Sequence, residues 1–183
     1  TTATGSIDAP VVVNCAGSWS GRLDPRHTVP VRPLKGEILA VDARPVAHHI
    51  LVSGPSNSAV PRADGRTIIC ATSSDIGYNK DVVFGSIAGL FERTARLVPS
   101  LRNARFLETW AGLRPMTPDR EPVLGADPEL RGLFWATGHL GNGILEAPIT
   151  AQAMSELITT GKTSIAIEKL SPRRFAAVAV GAS

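Results

Sequence analysis

A short apolar run, Leu133-Phe134-Trp135-Ala136-Thr137, passes directly into a glycine-rich turn, Gly138-His139-Leu140-Gly141-Asn142-Gly143-Ile144. A helical pattern follows from Glu146 to Thr160, carrying Ile149, Ala153, Met154, Leu157 and Ile158, with Gly161 placed to cap its end. Strand, glycine turn and helix thus follow one another directly. Glycines at the C-terminal end of a strand let the backbone approach a ligand closely, and the next helix directs unpaired N–H groups and a partial positive charge at it. The device stabilises negative charge. Taken alone, the same turn serves equally to reverse the chain.

Upstream lies Glu108-Thr109-Trp110-Ala111-Gly112-Leu113-Arg114-Pro115-Met116-Thr117-Pro118. Arg114 follows a strand-like run and precedes a proline, a position from which its side chain can face a cavity. A guanidinium holds a carboxylate through two parallel charge-assisted hydrogen bonds, which fixes orientation as well as affinity. The competing reading is an ion pair with Glu108 or Asp119; the glycine turn downstream tips the balance toward a substrate clamp. The anion to be stabilised by the turn fits the pyrimidine side of a reduced flavin.

His139 reads either as a general base or as a packing and backbone-bonding residue, and no residue is assigned a catalytic role. His48 and His49 would face opposite sides of a strand, which argues against a metal site. Tyr78 could lid a site or cap the approach to a helix. Nothing resembles a serine or cysteine triad, a P-loop or a paired-carboxylate hydrolase.

Thr1 to Asp8 reads as part of a hairpin feeding Ala9-Pro10-Val11-Val12-Val13-Asn14-Cys15, a β-branched run expected to be a strand buried on both faces. Gly36 to Val41 is strand-like, and His49 to Val52 is a second short candidate. Ala59 to Thr72 contains two strand-like runs about Asp64-Gly65, a dipeptide suited to a tight hairpin. From Asp81 the period changes: Val83, Ile87, Leu90, Phe91, Thr94, Leu97 and Val98 mark an amphipathic helix that Pro99 stops. Phe106 to Leu113 returns to strand character.

Within 183 residues, 43% hydrophobic and 19% charged, the composition is that of a globular protein, with no apolar stretch long enough for membrane insertion. The net charge of +3 comes from basic residues scattered among acidic ones without interleaved aromatics, which argues against nucleic-acid binding. Cys15 and Cys70 have no metal or disulfide spacing and read as small core residues in a reducing, cytoplasmic setting. Thr1, followed by polar residues, reads as a cut, a processing event or an unseen front half.

The residues together resemble the FAD-dependent D-amino-acid oxidase superfamily, and within it the glycine oxidase branch of thiamine biosynthesis. Val11 to Ser20 resembles the strand and turn that return to the FAD domain, Pro33-Leu34-Lys35-Gly36-Glu37 the entry to the substrate domain, and Val60 to Arg66 that domain's hairpin. Trp110 to Pro115 and Gly138 to Pro148 resemble the two signature segments near the end.

The resemblance implies an α/β (α+β) architecture: part of a Rossmann-type FAD domain assembled from separated pieces, residues 1–28 and 114–175, and a substrate domain with a mostly antiparallel sheet, residues 29–113. A flexible tail would run from 176 to 183. FAD is the implied cofactor, with Ala16, Gly17, Trp19, Gly138, His139, Leu140, Gly141, Asn142, Gly143, Ile144 and Leu145 beside it and Arg114 on the substrate carboxylate. The implied reaction is oxidative deamination of glycine, sarcosine or a D-amino acid by hydride transfer to the flavin.

Three departures from the family pattern stand out. Ser58 occupies the place of an aromatic hydroxyl, and Gly141 that of an arginine. The Gly-x-Gly-x-x-Gly turn for the FAD diphosphate is absent, so the chain reads as a back half that needs an N-terminal half or partner chain; a homo-oligomer is also compatible. Asp75 to Lys80 and Gly141 keep open an FAD-linked dehydrogenase of opines, imino acids or glycine. A truncated, non-catalytic binding or assembly module is the alternative of another class.

Overall fold

The computed structural model describes residues 4–43, 49–52 and 57–178, so His48 and the end of the expected tail, residues 179–183, lie outside it. In chain order the elements are β1 (Val12–Asn14), β2 (Arg32–Asp42), β3 (Leu51–Val52), β4 (Ser58–Pro61), β5 (Arg66–Cys70), α1 (Phe84–Leu97), β6 (Arg105–Met116), β7 (Val123–Ala126), β8 (Leu133–Thr137) and α2 (Gly143–Thr160). They divide into two compact units, Thr1–Arg32 with Arg114–Ser183, and Pro33–Leu113. The expected boundary at Val29 falls inside the first unit, because Val29 and Val31 are buried with Val123 and Trp135.

The first unit holds a three-stranded sheet in the order β1-β8-β7, with β1 parallel and β7 antiparallel to β8. Successive strand residues face opposite sides, so Val123 joins Val29, Val31, Trp135 and the half-buried Phe175 on one face, while Leu124 joins Ala153, Met154 and Ile167 beneath α2 on the other. The Trp135 indole N–H donates to Asp127 Oδ2 at 2.8 Å, which satisfies the one polar atom that this buried ring carries.

The second unit holds a five-stranded sheet in the order β3-β4-β5-β2-β6. The expected hairpin forms, with Ala59 opposite Ile69 and Gly65 at φ +90° in the turn. Leu39 and Val41 of β2 and Ile69 of β5 form a core with Leu90 of α1, the apolar stripe that the three- and four-residue spacing marked. Lys35 and Glu37 are also fully buried there. The Lys35 ammonium donates to Glu37 Oε1 at 3.2 Å and to the Asp81 carbonyl at 2.5 Å, while Glu37 accepts from Thr72 Oγ1 and from the Val83 N–H. Pairing and hydrogen bonding make two buried charges tolerable.

Several expectations are corrected. Thr4 to Pro10 contributes no strand, and β1 is not buried on both faces: Val12 and Val13 are 53% and 38% exposed. Cys15 lies past the end of β1 and is exposed, and Cys70 is half-buried, so neither is a core residue. The strand β7 was not expected; its residues are bounded by Pro122 and Asp127-Pro128, and its glycine, Gly125, sits at φ +130°. Helical backbone of the 3-10 type runs through Pro172–Val178, past the expected start of the tail. Among the described residues no helix is long and apolar enough to cross a membrane, and no cluster of histidine, cysteine or acidic residues could hold a metal ion.

Candidate functional site

Because β1 and β8 are parallel neighbours, paired Asn14 to Trp135, their C-terminal ends emerge side by side. That is where open α/β sheets place ligands. Thr137, the last residue of β8, joins the two ends: its hydroxyl donates to the Gly17 carbonyl at 3.2 Å and accepts from Ser20 Oγ at 2.8 Å. The Asn14 side chain closes the same loop, donating to the Ser20 carbonyl and accepting from the Ala16 N–H, each at 3.1 Å. Ala16, Gly17 and the exposed Trp19 therefore stand beside the start of the glycine turn, as a 3-10 helix over Gly17–Arg22.

Gly138 opens that turn at φ +82°, and a Cβ there would lie 3.0 Å from Thr117 Cγ2 and 3.4 Å from the Val123 nitrogen. Only glycine satisfies both the conformation and the space. Leu140 is also left-handed, at φ 52°, held by its N–H on the Pro115 carbonyl at 2.9 Å. Asn142 then bonds back to the His139 carbonyl, and the Glu146 N–H makes the 2.9 Å bond to the Asn142 carbonyl that starts α2. The amides of Gly143, Ile144 and Leu145 precede this bond and so have no acceptor within the helix. Ile144 and Leu145 present their side chains almost fully exposed beside these donors.

Arg114 meets the turn. Its Cδ and Nε lie 3.9 and 4.0 Å from where a Cβ on Gly141 would stand, so the arginine stem passes over a residue without a side chain. Of the acids that the sequence offered as partners, Glu108 accepts from Arg66 at 3.2 Å and Asp119 from Arg174 at 2.7 Å.

His139 turns toward α2, with Nε2 3.0 Å from Thr150 Oγ1, and helps line a cavity of about 300 Å³ with Glu146, Ile149, Leu124 and Ile165. Burial lowers its pKa from the ordinary 6.5, partly opposed by Glu146. The ring thus packs on α2 through Thr150. His49 is exposed, and Tyr78 is half-buried in the second unit.

Sequence reading missed two groups. Asn14, Ser20 and Thr137 form the tie between strand ends, and Thr117, Asp119 and Arg174 hold the turn after Arg114. Thr117-Pro118-Asp119 is a turn-forming tripeptide that could have flagged the second group; Arg174 carries no local signal.

A family model described as FAD dependent oxidoreductase matches residues 1–157. Glycine oxidase of Geobacillus kaustophilus is 35% identical over 176 residues, covering 94% of this chain and 47% of its own length. Its crystal structure superposes with a TM-score of 0.88 over 92% of this chain and 46% of that chain. The bifunctional protein ThiO/ThiG of Synechocystis sp. is 39% identical over 93% of this chain and 26% of its own length. Hydrogen cyanide synthase subunit HcnC of Pseudomonas aeruginosa is 32% identical over 97% of this chain and 44% of its own length. The chain spans about half the length of the glycine oxidase and HcnC relatives, and about a quarter of ThiO/ThiG. With the family model matching more than half of its residues, the chain belongs to the FAD-dependent oxidoreductase family.

Proposed function

We propose that the complete protein containing this chain deaminates a small amino acid oxidatively, using FAD as hydride acceptor, and that the chain supplies the carboxylate clamp and one side of the flavin site. One observation carries this reading: Arg114 crosses Gly141 in the turn whose next residues present the first-turn amides of α2, which have no acceptor within the helix. The residues fit a flavin, since a glycine cradle and preorganised donors sit beside exposed apolar side chains at the shared end of two parallel strands. Ala16, Gly17 and Trp19 would hold one edge of the cofactor, and Gly138 to Leu145 the other.

FAD held by these residues would supply a hydride acceptor for the substrate Cα–H, and the imino acid so formed would be hydrolysed by water to a 2-oxo acid and ammonia. Arg114 binds and orients the substrate carboxylate through its two-pronged guanidinium. The α2 amides favour negative charge at the turn. On this reading the first unit is FAD-domain material and the second is the substrate domain. The exposed face and edge of β1 would meet the remaining half, and two free thiols suit a cytoplasmic setting.

Arg114→Ala in the complete enzyme is expected to raise KM for amino-acid substrates by the ~2–4 kcal/mol of a lost charge-assisted pair, with flavin content unchanged. An unchanged KM removes Arg114 from the site. A second reading, a dehydrogenase subunit, draws support from the similarity to HcnC. Oxygen consumption against reduction of an artificial acceptor separates the two.

A further inference from the structure

We infer that Arg174 is a positioning residue for the carboxylate clamp: through Asp119 and the Thr117–Pro122 turn it sets where Arg114 and the glycine turn stand. This rests on the clamp reading of Arg114 above.

The Arg174 guanidinium is consumed by the protein. Its Nε and Nη2 donate to the two Asp119 carboxylate oxygens at 2.7 and 3.3 Å; Nη2 also donates to the Glu121 and Pro122 carbonyls at 3.0 and 2.9 Å. Nη1 donates to the Leu170 and Ser171 carbonyls at 2.6 and 3.2 Å, and Cζ lies 4.2 Å from the centroid of the Phe175 ring. A guanidinium so occupied is a tie rather than a ligand contact. It fastens the segment after α2 to one turn.

That turn carries the clamp. Inside it, Arg120 N–H donates to the Thr117 carbonyl, Thr117 Oγ1 to the Glu121 carbonyl at 2.8 Å and Glu121 N–H to Asp119 Oδ1 at 3.1 Å, with Arg120 held at φ 67°. On one side it continues from the Arg114-Pro115 strand end, whose Pro115 carbonyl receives the Leu140 N–H. On the other, Thr117 Cγ2 and the Glu121 carbonyl lie against Gly138, 3.0 and 3.5 Å from where a Cβ would stand. A shift of the turn therefore moves the arginine and the glycine turn together. Bidentate recognition tolerates little displacement, and a misplacement of about 1 Å can cost about a hundredfold.

Lysine can keep the charge pair with Asp119 but cannot span that carboxylate and the Glu121, Pro122 and Leu170 carbonyls at once. In the complete, FAD-loaded protein, calorimetric titration with acetate reads carboxylate affinity without turnover, alongside melting temperature, flavin content and KM against kcat. Arg174→Lys is expected to weaken acetate about tenfold or more and to raise KM more than it lowers kcat, at unchanged flavin content. In an Arg114→Ala background the same change should add nothing, the sign of action through Arg114. Asp119→Asn, which keeps one acceptor oxygen for the Glu121 N–H and puts an amide donor where Arg174 Nε had its acceptor, should weaken acetate severalfold and decides the matter alone if the lysine variant does not fold. Acetate affinity within twofold of wild type in these variants, with only the melting temperature lowered, overturns the positioning role. Acetate affinity unaffected by Arg114→Ala itself overturns the clamp and this inference with it.

Discussion

Gly138 and Gly141 share a turn but answer to different physics. A side chain at 138 would face both left-handed backbone and a 3.0 Å contact, whereas one at 141 would meet Arg114 at an ordinary 3.9 Å. Gly138→Ala is expected to cost about 1–3 kcal/mol of stability, and Gly141→Ala close to nothing, in denaturant unfolding of the complete protein. Equal losses would contradict this account of the turn. His139 supplies a pH signature. Its pKa is below the ordinary 6.5 because burial disfavours the imidazolium, so between the two values the unfolded chain binds the proton more readily. Its contribution is thus present above about pH 6.5 and lost as the pH falls through the lowered folded value. The stability advantage of wild type over His139→Gln should shrink accordingly from about pH 7.5 to 5, measured by unfolding at each pH.

At the scale of elements, the parallel pairing of β1 with β8 is what brings two distant glycine segments side by side, and Thr137 is the pin between them. Thr137→Val keeps the shape but removes the bonds to Ser20 and Gly17, at an expected cost of about 1–3 kcal/mol with weaker flavin retention, read by unfolding and by absorbance. Stability and retention both unchanged would show that the strand ends hold themselves. A run of valines signals a strand that can be covered on both faces, but whether it is covered depends on what packs against it, and Val12 and Val13 remain open here.

For the whole molecule, those valines and the exposed Ile144, Leu145 and Ile149 predict an assembly defect rather than a folding one. Val12→Lys should reduce association of the chain by itself, measured by light scattering, and reduce flavin retention when the remaining half is present. Improved solubility with full retention would mean that this strand is not covered in the complete protein. The second unit makes the complementary point. Its hairpin, its amphipathic helix and the strands beside them were legible because each depends on a local signal: an Asp-Gly turn, a stripe of period 3.6, a β-branched run. The buried Lys35–Glu37 pair gave no such signal, since its partners Asp81, Thr72 and Val83 lie far along the chain.

What the sequence by itself determined was the strand, turn and helix at Leu133 to Thr160, the candidacy of Arg114, and the resemblance resting on both, because glycine freedom, helical periodicity and guanidinium geometry are properties of neighbouring residues. Only tertiary structure decided that Arg114 passes over Gly141, that Glu108 pairs with Arg66 and Asp119 with Arg174, that His139 packs against α2, and that Arg174 anchors the turn after Arg114. Those are choices among partners remote in sequence, and they are settled by which groups the fold brings within hydrogen-bonding distance.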